Sequence, residues 1–285
     1  MNKIITVILC CFLVCCMAVL YTEYANPDSS APLAAESGSS LESLSNSPVE
    51  PTTEPVSQAF STEPKKQGSF WIGSKQEENM LKNILIPVDD SETINEELQT
   101  YVEHLGTVDR NVVKMTAEQQ DEDYFSGKLE STFGFQYLDF TFRVNTLEGP
   151  GLFPAIWMLP VSGARFPELD IYELLGDEPN IFYGVMHYLQ DENHERQSFA
   201  HDFSESAIPD SYTIRFRWTE DEIAWYLDGE KVFSITDHVP QEPMYLIFNL
   251  AVGGNWPGNP TEETKFPATF EVEVLEFLPD HIHIR

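Results

Sequence analysis

Beyond its first sixteen residues the chain contains no cysteine. All four, at 10, 11, 15 and 16, lie in one apolar run. That excludes a disulfide framework and a cysteine metal site from everything downstream. Basic residues are scarce as well: 16 Lys and Arg stand against 47 Asp and Glu, for a formal net charge of −31. So acidic a chain cannot assemble the cationic face that nucleic acid requires, and it would repel a polyanionic polymer. A neutral polymer is compatible with it. Long helical periodicity is also missing, and strands do not alternate with helices, which sets aside the α/β architectures.

What is present begins with Lys3, the one base among the first 30 residues, followed by the uncharged and mostly apolar stretch 4–21. A positive start and an apolar run read as an export segment over residues 1–25. At 18 residues the run sits at the lower edge of a membrane span, so a cleaved signal and a retained anchor both stay open. Residues 26–67 are rich in Ser, Pro, Glu and Thr and poor in apolar side chains, the composition of a linker. The expectation is a domain over 68–285, extracellular or at the cell surface, monomeric, and attached to the membrane through 4–21 if the segment is kept.

From Phe70 onward short β-branched and aromatic runs alternate with polar turns. Period-2 patterning is clear in YTIRFRW (212–218) and TFEVEVLEF (269–277). IAWYL and KVFSI flank DGE, a hairpin signal. Many short strands in about 200 residues predict an all-β antiparallel sandwich, and two curved sheets would leave a face able to hold a polymer.

The most informative stretch is FPELDIYELLGDEPN, residues 166–180. Period 2 puts Glu168 and Asp170 on one face. Glu173 is out of phase by one residue, and a single β-bulge would return it to that face. Leu169 and Ile171 would then point to the core. Three acids on one face are costly in a core and sensible in a cleft. Cleaving a glycosidic bond takes such a set: one carboxylate to attack or to position water, another to protonate the leaving oxygen, about 5–5.5 Å apart in a retaining enzyme.

ELDIYE resembles the E-x-D-x-x-E signature of glycoside hydrolase family 16, in its laminarinase-like branch. INEELQTY (94–101), YFSGKLEST (124–132), GLFPAIWMLP (151–160), YGVMHY (183–188) and NLAVGGNWPG (249–258) are similar to further blocks of that family, in the same order. The resemblance implies a concanavalin A-like β-jelly-roll sandwich of two curved antiparallel sheets and retaining endo-hydrolysis of a β-1,3-glucan. It implies Glu168 as nucleophile, Asp170 as its helper and Glu173 as acid/base. It places Asn95, Trp157, His187 and Trp256 along the substrate. Aromatic faces suit the apolar faces of sugars, and His187 can hydrogen-bond a sugar hydroxyl or Asp170. Trp218 and Trp225, in alternating strands, read as structural.

The opening strand usual in the family is not recognisable in 68–94, so it is expected to be shortened, replaced or absent. No cofactor is required by this chemistry. A structural calcium occurs in some members, near the position matched here by Glu273, and stays open. So do other activities: a mixed-linkage glucan or galactan hydrolase, a transglycosylase, or a non-catalytic glucan-binding protein, the last disfavoured because both glutamates are kept.

Overall fold

The computed structural model describes residues 80–92, 94–203 and 208–285. The expected export segment (1–25) and linker (26–67) lie outside the described residues. After one helical turn, α1 (Met80–Ile84), the chain is strand upon strand. These are β1 (Leu85–Pro87), β2 (Gln99–Tyr101), β3 (Gly106–Asp109), β4 (Val112–Gln120), β5 (Asp123–Ser126), β6 (Lys128–Asn145) and β7 (Leu152–Pro160). They continue as β8 (Glu168–Leu174), β9 (Ile181–Gln190), β10 (Asn193–Asp202), β11 (Ser211–Trp218), β12 (Ile223–Leu227), β13 (Glu230–Ile235), β14 (Met244–Val252) and β15 (Ala268–Ile284).

Two layers, antiparallel except for the short β2–β5 pair, share β6. Its first half, 128–135, pairs with β14 and continues the run β10-β9-β8-β7-β14. Its second half, 138–145, pairs with β11, which leads to β12 and β13. Between the halves Tyr137 adopts φ 64°, a left-handed turn in the middle of a long strand. β15 runs beside β6 and carries β4 on its other edge. The expected hairpin closes on Asp228 and Gly229, both with positive φ (47° and 91°), between Leu227 and its partner Glu230. That is the two-residue turn whose twist matches the strands. Among the described residues the opening strand is β1, three residues paired with β6 at Leu85↔Ser131. Leu81 and Leu85 there reach the core.

The core is the set of inward positions that period-2 patterning selects. β11 contributes Tyr212, Ile214, Phe216 and Trp218, β14 Met244, Leu246, Phe248, Leu250 and Val252, and β15 Phe270, Val272 and Val274. The layers meet through aromatic contacts: Phe140 with Phe248 at 6.4 Å, Tyr172 with Phe270 at 5.5 Å, and Phe199 with Trp225 at 5.4 Å. Each such side chain contributes roughly 1.5–3 kcal/mol by leaving water. Trp218 and Trp225 are buried here, as expected of structural residues. The alternate positions of β7, β8, β9 and β14 are left on one open face, and there the functional side chains collect.

Candidate active site

β8 lies between β7 and β9. Its register to β9 pairs Glu168 with His187, Asp170 with Val185 and Glu173 with Tyr183. Three steps along β8 therefore match two along β9, and this is the one-residue bulge the sequence called for. Its effect on packing goes one residue further than expected: Tyr172 turns inward together with Leu169 and Ile171, and all three are fully buried. Glu173 thereby rejoins the face of Glu168 and Asp170. Opposite Glu173 on β7 stands Ala155, small enough to leave it room, while Trp157 stands opposite Asp170.

The electrostatics separate these carboxyls from ordinary surface acids. Burial, then the charge of Asp170, pushes Glu168 up from 4.5 to about 7. Asp170 is only 4% exposed, and burial raises it above the usual carboxylate range. Glu173 is raised well above 4.5, first by burial and then by the charges of Asp170 and Glu168. Three acids in low dielectric cannot all ionise. At neutral pH the cluster retains protons, which is what a set containing both an acid and a nucleophile requires.

His187 Nε2 lies 3.3 Å from Asp170 Oδ2. The contact is off the line of a good hydrogen bond, and among the described residues Oδ2 has no other partner. Burial, ahead of any charge, lowers the pKa of His187. Its other nitrogen, Nδ1, sits 2.8 Å from His194 Nε2 on β10.

Trp157 lies on the same open face, and its indole N–H donates to Asn249 Oδ1 at 2.8 Å. Asn249 in turn donates to the Tyr101 hydroxyl at 3.0 Å. Trp256 is 47% exposed and meets Phe153 at 5.4 Å and Tyr183 at 5.1 Å, both edge-on. The three rings form an aromatic platform beside Glu173, whose cross-strand partner is Tyr183. Asn95 is exposed and makes its contact through the backbone: its carbonyl accepts from the Asn255 N–H at 2.8 Å, in the loop that carries Trp256. Sequence reasoning missed His194, Tyr183, Phe153, Tyr101, Gln99 and Asn249. Tyr101 and Gln99 stood in the recognised INEELQTY block, where Gln99 Oε1 accepts from Val252 N–H at 2.7 Å. Phe153, Tyr183 and Asn249 likewise stood in recognised blocks, whereas His194 lay outside them and had only its phase with Arg196, the residue opposite His187.

Glu273, the position where the sequence leaves a calcium open, is engaged in an ion pair. Its Oε2 accepts from Arg143 Nη1 at 2.7 Å, so a guanidinium already neutralises it, and Asn111 Nδ2 approaches Oε1 at 3.5 Å. On the open face, donor atoms of Glu168, Asp170 and His187 lie within 4.8 Å of one another, a spacing that a divalent cation can span.

The chain belongs to glycosyl hydrolases family 16, whose family model matches residues 94–268. Among curated relatives, an endo-1,3-1,4-beta-glycanase of Rhizobium meliloti is 35% identical over 141 residues, 48% of this chain and 30% of that protein. A second from the same organism is 33% identical over 166 residues, 56% of this chain and 34% of that protein. This chain thus spans about a third of the length of either. The laminarinase catalytic domain of Thermotoga maritima superposes with a TM-score of 0.58 at 28% identity, over 70% of this chain and 92% of that one. The two-layer sandwich is the β-jelly roll of this family.

Proposed function

We propose that the chain hydrolyses internal β-1,3 linkages of a laminarin-like glucan with retention of configuration. The observation that supports this most is the bulge that brings Glu173 onto the face of Glu168 and Asp170, with both glutamates holding raised pKa values. In this reading Glu168 attacks the anomeric carbon while Glu173 gives its proton to the departing glycosidic oxygen. Glu173 then takes a proton from water, and the oxygen of that water displaces Glu168. Asp170 lies between them on the strand and balances the proton inventory of the pair. Trp157, His187 and the Trp256 platform hold the sugars, and Asn95 shapes the loop that presents Trp256. The names of the Thermotoga maritima neighbour and of an endo-beta-1,3-glucanase from Pyrococcus furiosus, 27% identical with a TM-score of 0.58, favour β-1,3 bonds.

A second reading rests on the names of the two Rhizobium meliloti relatives: a glucan of mixed 1,3 and 1,4 linkage. Product analysis on laminarin and on mixed-linkage glucan tests both. Short oligomers released from laminarin support the first reading. Cleavage of mixed-linkage polymer alone transfers the assignment to the second, and no cleavage of either overturns both. The same proposal has the domain exported and monomeric. Secretion into the medium or retention in the membrane fraction tells a cleaved signal from an anchor at 4–21.

A further inference from the structure

His194 stands on β10, one strand beyond the strand of His187, and belongs to no recognised block of the sequence. Its Nε2 is 2.8 Å from His187 Nδ1. The two ring planes diverge by 21° with centroids 5.0 Å apart. With the nitrogens in contact, that separation leaves about one ring radius on each side. The rings are therefore nearly coplanar and edge to edge, the arrangement of an in-plane N–H···N hydrogen bond. Phe166 lies flat on His194 at 4.7 Å and 16°, which fixes the plane of that ring. Phe166 is two residues before Glu168, so the loop that leads into the carboxylate strand also clamps the histidine.

The direction of this bond follows from the far end of the chain. Asp170 Oδ2 is buried and, among the described residues, lacks a hydrogen-bond partner, and the nitrogen facing it is His187 Nε2, at 3.3 Å. A buried carboxyl oxygen without a donor is costly. If His187 carries its proton on Nε2, a small rotation satisfies Oδ2, whether Asp170 is ionised or carries its own proton on Oδ1. His187 Nδ1 is then a bare lone pair and must accept. His194 Nε2 is the group that donates to it. With the opposite tautomer, an unprotonated His187 Nε2 would face Oδ2, two acceptors in contact unless Asp170 carried a proton on Oδ2 itself.

We infer that His194 is a positioning residue: by donating to His187 Nδ1 it holds His187 in the Nε2–H tautomer and aims that N–H at Asp170. The inference rests on the glycosidase reading, in which Asp170 serves the Glu168 and Glu173 pair. Partners of this kind decide which ring nitrogen of a working histidine is protonated.

The test uses the full-length protein with nitrogen-15 histidine labelling and three forms: wild type, His194→Gln and His194→Phe. Gln can place an amide N–H where Nε2 stood. Phe keeps the stacking on Phe166 and removes the donor. Wild type should show His187 as the Nε2–H tautomer in long-range nitrogen–proton spectra. His194→Phe should give mixed tautomers and a kcat lowered by about tenfold, by analogy with the loss of a partner that orients a metal-bound histidine, with KM little changed. His194→Gln should restore the tautomer and most of kcat. An Nδ1–H tautomer in wild type overturns the inference, as does an unaltered His187 spectrum in His194→Phe. Should wild type cleave no β-glucan, the glycosidase reading fails, while the spectra still decide the tautomer.

Discussion

The indole N–H of Trp225, in the opposite layer, donates to the backbone carbonyl of Ile171 at 3.0 Å. Ile171 is the residue at which β8 slips out of register with β9. A bulge disrupts the ladder and leaves a polar group in need of a partner. Trp225 supplies it from across the core. Gly184, on β9 beside the bulge, makes the approach possible: a Cβ there would lie 2.9 Å from Trp225 Nε1 and 2.4 Å from Phe199. The phase of Glu173 is therefore tied to a tryptophan buried in the core of the sandwich.

Trp225→Phe should leave the Ile171 carbonyl buried and unpaired, at a cost of about 1–3 kcal/mol. The loss should extend to kcat, because the bulge that carries Glu173 relaxes. Denaturant melts and steady-state kinetics check both. Lost stability with unchanged kcat would show that the bulge holds its shape unaided.

Glu173→Ala should still form the glycosyl-enzyme from an aryl glycoside with a good leaving group, then stall for want of a base. Azide needs no base and should restore turnover as the β-glycosyl azide. Glu168→Ala should form no retained intermediate. Mass spectrometry of a trapped fluoroglycoside locates the adduct, and a label on Glu173 reverses the roles.

The carboxylate cluster should weaken the fold as pH rises. Glu168 and Glu173 hold their protons in the folded state to higher pH than the ordinary 4.5 they revert to on unfolding. Between about pH 4.5 and 7 the folded chain binds more protons, so raising pH through that window removes stability. Glu168→Gln and Glu173→Gln should each raise Tm at pH 8, by on the order of 2–4 °C per kcal/mol recovered. The gain should vanish near pH 4. Scanning calorimetry at the two pH values checks it, and an equal gain at both would point to packing.

Trp256→Ala should raise KM several-fold and leave Tm within a degree or so, since the ring is 47% exposed and its loop is held by Asn95 and Gln99. Chelation should leave the melting curve unchanged, since Arg143 neutralises Glu273. A drop in Tm with EDTA would reveal a cation bound elsewhere.

Much of this was legible because strands write their faces in alternation. The ELDIYE run stated both its two-residue phase and the break in it, so the bulge could be placed before any coordinates. The inward turn of Tyr172 was not legible. Alternation gives no rule for which of two residues in a bulge faces the core, and the choice rests on its hydrogen bond to Tyr212, 3.1 Å away and distant in sequence. His194 was hidden for the same reason. Its register against β9 decides its meaning, and a sequence does not print register.

The ties that secure the wall of the cleft join residues far apart along the chain. Gln99 reaches Val252 and Tyr101 reaches Asn249, separations of 153 and 148 residues. β7, β8 and β9 are sequential neighbours and pair through short connections. Contacts of long separation pay loop-closure entropy first and form late. On a growing chain the carboxylates can therefore gather well before the wall beside them closes. The open face is therefore whole only after Asn249 and Val252, late in the chain, have joined the strands that carry the carboxylates.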